Sequence, residues 1–168
     1  MKKYVLIFGL IIGTILCVNM LYTVNQLYNN SNFTGNEIIG YAAIVIVFSL
    51  IFFGVRNYRN KHLNGFISFG KAFKTGFLIA LLGSTLYVSA WLFYYYLFIP
   101  DYLDIYIPFA LGEVPSTELA AKTTEMESFK EMYKNPLFVV LITFFEVLPI
   151  GILVSFLSAL FLKKKNRS

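Results

Sequence analysis

Charge is scarce in this sequence. Only 14% of its 168 residues are Asp, Glu, Lys or Arg, against 58% hydrophobic, whereas a water-soluble domain carries about 25% charged residues. A chain so poor in charge cannot cover its own surface in water, so lipid is part of its solvent. The one cysteine, Cys17, lies inside an apolar run. It can form no intramolecular disulfide and reads as a small polarizable packing group. The one histidine, His62, has no Cys, Asp or Glu within 15 residues, which argues against a metal site. There is no H-E-x-x-H, no Cys–His pair, no pair of intramembrane Asp and no glycine-rich phosphate loop. Hydroxyls are plentiful in the apolar runs, but none has a neighbouring base. The chain is therefore expected to be no enzyme and to hold no cofactor and no metal.

What it has is hydrophobic length. Four apolar runs, at about 4–24, 38–55, 72–98 and 137–162, each reach the roughly 18 residues that cross a hydrocarbon core about 30 Å thick. The second is the shortest and is expected to stand nearly upright; the third and fourth must tilt, bend or protrude. Lys2 and Lys3 before the first run resemble a signal peptide, but a secretory core is about 7–15 residues and ends at a small-x-small site. No such site closes this run, and Thr14-Ile15-Leu16-Cys17 lacks the leucine that a lipoprotein box places three residues before its cysteine. It reads as a retained helix.

The charges fix an orientation. Eleven of the 14 Lys and Arg precede run one, lie between run two and the first turn of run three (Lys74 included), or follow run four, and those segments hold no acid. The other side has Lys122, Lys130 and Lys134 against eight acids, among them Glu37, Asp101, Asp104 and Glu131. The positive-inside rule makes the basic side cytoplasmic, with both termini inside. This placement turns the net charge of +5 toward anionic lipid and away from nucleic acid. The reading is a single domain, 1–168, an all-α membrane protein of four transmembrane helices, multi-pass, N-in and C-in.

The outer segment 99–136 is the one sizeable stretch between spans. Asp101–Gly112 mixes aromatic and aliphatic residues with two acids and suits the membrane interface. From Ser116 to Asn135, Leu119, Met126, Phe129 and Tyr133 fall on one face of an amphipathic outer helix. Ser116 or Thr117 can cap it, and Asn135-Pro136 ends it and opens span four. On the basic side Ser68 is placed to cap the helix of span three, and Trp91, Tyr94, Tyr95 and Tyr96 read as an aromatic belt at its far end.

Two spans carry packing signals. Phe69, Phe73, Gly76, Ala80, Gly83, Tyr87, Ala90 and Tyr94 form a seven-residue repeat with small residues at its centre, a pattern for close left-handed packing. Leu82, one position round, is expected to face away from it. Gly9-x-x-x-Gly13 in span one, with Cys17 on the same face, permits close helix contact within the bundle or in a homo-oligomer.

Glu146 demands an explanation. It is the one ionisable side chain well inside a span, nine residues into run four, where a charge costs about 2.5–3.5 kcal/mol on insertion scales. No Lys or Arg lies at its depth, so hydrogen-bond partners are sought at Thr14, Tyr87 and Ser89. Pro149 leaves the Phe145 carbonyl without its usual donor, which predicts a kink, and Gly151, with Ser155 and Ser158, offers a small face on another side of the same helix. One reading of Glu146 is a proton or cation site beside a broken helix; the other is a protonated carboxyl hydrogen-bonded between helices.

Arg56-x-x-Arg59, Gly65-Phe66-Ile67-Ser68-Phe69-Gly70-Lys71-Ala72-Phe73, Glu146-x-x-Pro149-x-Gly151 and the Ser-Ala-Leu before the basic tail together resemble the four-span membrane family catalogued as domain of unknown function 4199. The resemblance covers nearly the whole chain, with Ile67–Phe73 its most specific part. It implies a bacterial inner-membrane location and this topology, and it brings no activity and no catalytic residues. Two functional classes remain. One is a non-catalytic accessory or assembly component that contacts the lipid bilayer and a membrane-protein partner. The other is a small oligomeric transporter or channel using Glu146.

Overall fold

The computed structural model describes residues 1–30, 33–35 and 37–164; Lys165 and Arg167 of the basic tail lie outside them, as does the Glu37 side chain. Over these residues the elements are α1 (Lys2–Asn29), α2 (Glu37–Phe48), α3 (Leu50–His62), α4 (Phe69–Phe98), α5 (Tyr102–Gly112), α6 (Leu119–Met132) and α7 (Pro136–Leu162). Four helices are long and apolar enough to cross a membrane: Lys2–Asn29, Ile38–His62, Phe69–Phe98 and Pro136–Leu162. The second joins α2 to α3 across Ser49. There the hydroxyl donates to the Ile46 carbonyl at 2.6 Å while the N–H still reaches Val45 at 2.9 Å. A back-bonding serine thus faults the helix for one residue without ending it.

Helices outrun the apolar runs that announce them. The second continues past Val55 to His62 because Arg56, Arg59 and Lys61 are adequate helix formers, and cations suit a helix C-terminus. It stops where Asn64 and Gly65 take positive φ (49° and 84°), a conformation that glycine adopts without strain. Ser68 then caps α4 by accepting from the Lys71 N–H, as its position predicts. At the other end Asn135 accepts from the Leu137 N–H at 3.0 Å and Pro136 fills the first turn of α7, where no N–H is needed.

α4 is the central helix, with α1 on one flank, α7 on another and α3 against both. Small residues set how close these helices come. A Cβ at Gly151 would lie 2.7 Å from that of Ala80, one at Gly76 would meet Ser155 and Ile51 at 3.0 Å, and one at Gly54 would meet Ile79 at 2.8 Å. Gly9 and Gly13 face α4 as well, under Leu82 and Leu86. Leu82 therefore packs on α1, contrary to the expectation that it faces away. A helix clasped from several sides buries a broader arc than one heptad stripe. Gly76, Ala80 and Gly83 are buried, but toward the far end burial passes from Tyr87, Ala90 and Tyr94 to Val88, Trp91 and Tyr95.

Contacts between backbone segments seal the basic end. Ile67 and Lys164 exchange N–H···O bonds of 3.0 and 2.9 Å. The Arg59 guanidinium donates to the Leu162 carbonyl at 3.1 Å, one of the last-turn carbonyls of α7 that lack a donor within the helix. Lys164 lies over the Phe66 ring. The segment on which the family resemblance is most specific is thus the one that ties α3, α4 and the end of α7 together.

At the acidic end two of the four aromatic residues read as a belt are core instead, while Tyr94 is half-buried and Tyr96 exposed. Trp91 and Tyr95 are buried, at 6% and 8% exposure, because α5 and α6 fold over them. Tyr102 stands edge-on to Trp91 at 5.0 Å and Tyr133 edge-on to Tyr95 at 5.3 Å. The stretch Asp101–Gly112, expected at the interface, forms the helix α5 from Tyr102. α6 begins at Leu119 after Glu118, with no side-chain cap from Ser116 or Thr117. Met126 and Tyr133 are buried and Phe129 is half-buried, but Leu119, at 41% exposure, stands clear of that face.

Candidate functional site

α7 buries Val139, Thr143, Val147, Gly151 and Ser155 at intervals of four. Glu146 precedes Val147 by one residue and so lies about 100° round the helix, on an exposed flank beside Phe145, which is 77% exposed. It forms none of the ion pairs or hydrogen bonds among the described residues. Pro149, four residues after Phe145, is also exposed, and α7 continues as a helix across it.

Three phenols lie within electrostatic reach of that carboxyl: Tyr87, Tyr102 and Tyr133. Tyr87 comes from α4, one turn beyond Gly83, at the height where the helices still run close. Tyr102 is the first residue of α5 and stacks on Tyr106 at 5.4 Å. Tyr133 ends α6, its ring 4.5 Å from that of Phe129 and its hydroxyl beside the Trp91 indole and the Thr143 hydroxyl. The Asn135-Pro136 turn brings Tyr133 back over the start of α7. Burial pushes the Tyr102 and Tyr133 phenols above the usual tyrosine range, so both remain neutral hydrogen-bonding groups near neutral pH.

Of the residues singled out in the sequence, Tyr87 lies within electrostatic reach of Glu146, with no hydrogen bond between them among the described residues. Thr14 and Ser89 do not join them: each is exposed, and Ser89 lies about 200° from Tyr87 on α4. Gly9, Gly13, Gly76, Ala80, Gly83 and Gly151 all pack within the chain. The Gly9–Gly13 face is therefore occupied by α4, and Cys17 lies 4.0 Å from the Leu86 carbonyl on the same side. Tyr102 and Tyr133 were not foreseen, because counting depth along the spans cannot find residues that loops fold back over a helix. The available signal was Asn135-Pro136, a turn that must return the end of α6 to α7.

The arrangement can hold a proton on a carboxylic acid and offers phenolic donors and acceptors around it. It pairs no nucleophile with a base. Among the described residues no three His, Cys, Asp or Glu side chains gather as a metal site.

No curated protein and no solved structure matches this chain. The model of the family described as Protein of unknown function (DUF4199) matches residues 3–164, from the first turn of α1 to the Lys164 bridge beyond α7, and the chain belongs to that family.

Proposed function

We propose that this protein is a non-catalytic accessory or assembly component of the bacterial cytoplasmic membrane, with both termini and the α3–α4 loop inside. The exposed position of Glu146 on the flank of α7, outside every ion pair and side-chain hydrogen bond among the described residues, carries the reading. A carboxyl facing hydrocarbon is expensive, and a hydrogen-bond donor on the transmembrane helix of another protein relieves that cost. The charge asymmetry between the two ends supports the orientation.

A photo-cross-linking residue placed at Phe145, on the same flank, tests this. In mild-detergent extracts it should capture one partner in fixed stoichiometry, whereas a probe at the buried Val147 should capture none. Equal, diffuse labelling from both positions would count against a partner on this flank. The phenols around Glu146 favour a second reading, a small oligomeric transporter. There Glu146→Gln should leave the melt within about 1 kcal/mol and abolish pH-gradient dissipation in proteoliposomes, because an amide cannot titrate. For an accessory protein neither form dissipates the gradient.

A further inference from the structure

A groove of about 340 Å³ opens between α5 and α6, within the size range of small-molecule sites. Its floor is apolar. Leu103 and Met126 are buried, and Ile107, Pro108 and Leu111 complete the wall. Its rim is charged, with Asp104, Glu127 and Lys130 all exposed. Both helices lie outside the four candidate spans, joined to the acidic ends of α4 and α7; in a bilayer crossed by those spans, such a position falls near the lipid headgroups.

The rim has a definite chemistry. Lys130 Nζ donates to Asp104 Oδ1 at 2.6 Å, which leaves the Glu127 carboxylate as the rim charge outside any described ion pair. Pro108 has no N–H to give the Asp104 carbonyl, one turn back in α5, so that acceptor lacks its usual helical donor. The rim is thus rich in acceptors and negative by one charge, with a single cation at its edge.

We infer that this groove binds one phospholipid whose headgroup carries a primary ammonium, phosphatidylethanolamine being the fitting class. The ammonium donates to Glu127 and the Asp104 carbonyl, the phosphate lies toward Lys130, and an acyl chain covers Leu103 and Met126. A choline headgroup has no N–H to donate, and an anionic glycerol headgroup meets a rim of its own sign.

Native mass spectrometry of the full-length protein, equilibrated with equimolar ethanolamine, choline and glycerol phospholipids of matched chains, tests the assignment. One ethanolamine lipid per chain should be retained about tenfold over the choline lipid, the worth of one charge-assisted hydrogen bond. Glu127→Gln, at an exposed position, should erase most of that preference with an unchanged melt. Met126→Trp, which fills the floor, should remove retention of every lipid. If that variant does not fold, the headgroup preference of Glu127→Gln decides. Equal retention of ethanolamine and choline lipids, full preference in Glu127→Gln, or a lipid-free dimer with the groove occupied by a second copy would overturn the inference.

Discussion

The two halves of this bundle are held by opposite means. Toward the basic end and at mid-span, contact depends on residues with almost no side chain: Gly54, Gly76, Gly83 and Gly151 let α1, α3, α4 and α7 approach until a single added methyl group would collide. At the acidic end contact depends on the largest side chains in the sequence, with Trp91, Tyr95, Tyr102, Phe129 and Tyr133 filling the space under α5 and α6. Lipid supplies little hydrophobic drive between spans, so their association rests on close fit and shape. The cap lies outside the candidate spans, where burying rings away from water is itself favourable. One half is specified by shape, the other by volume.

The largest effect should come from removing volume. Trp91→Ala should cost about 3–5 kcal/mol, as deletion of a buried aromatic ring does, measured as a shift in a detergent-denaturation midpoint. The damage should stay at the acidic end, opening α6 around the buried Met126 and Tyr133 to protease while the four spans keep their helicity. Trp91→Phe, which retains most of the ring, should cost less than half as much. Equal losses from both variants would mean that the indole N–H beside Tyr133, and not the ring's bulk, holds the cap.

Much of the spanning architecture was legible because it depends on local properties. Apolar length located the four long helices, Ser68 and Asn135-Pro136 marked two helix starts, and the Gly76–Ala80–Gly83 stripe marked the central contact. What escaped depends on how distant segments fold back. Trp91 and Tyr95 have a belt's composition, and only the docking of α5 and α6 turns them into core. Leu82 falls off the heptad stripe, yet α1 reaches it because α4 has neighbours on several sides. Leu119 fits the face of α6 by spacing, but the helix begins there and carries it past the surface that Met126 and Tyr133 meet. The flank on which Glu146 emerges is likewise set by the packing of α7 on α4. Sequence phasing separated Glu146 from Gly151 without saying which face would be left open.

A smaller effect should come from adding a single methyl where shape governs. Gly151→Ala places a Cβ 2.7 Å from that of Ala80, and neither atom can rotate away. Helix propensity favours alanine by about 0.5–1 kcal/mol, but overpacking costs about 1–3 kcal/mol and should win. The control is Gly70→Ala in the first turn of α4, where a Cβ meets nothing within 4 Å; that variant should be neutral or slightly stabilised. If both alanines behave alike in the same melt, the close approach of α4 and α7 is not what holds this half.

The smallest effect sharpens the comparison at one atom. The Ser84 hydroxyl is fully buried on α4 and has no hydrogen-bond partner among the described residues. By contrast, the Ser155 hydroxyl on α7 donates to the Gly151 carbonyl at 2.7 Å. If shape is all that this region asks of residue 84, the hydroxyl contributes nothing but its desolvation. Ser84→Ala should then raise stability, by less than about 1 kcal/mol because a serine hydroxyl in a helix can turn back toward the carbonyl four residues earlier. Ser155→Ala loses a bond already made within its own helix and should lower stability by a similar margin. The two melts, run side by side, separate a serine chosen for size from one chosen for its bond. A clear loss in Ser84→Ala would mean that its hydroxyl does turn back to the Ala80 carbonyl, and that residue 84 is held for its bond as residue 155 is.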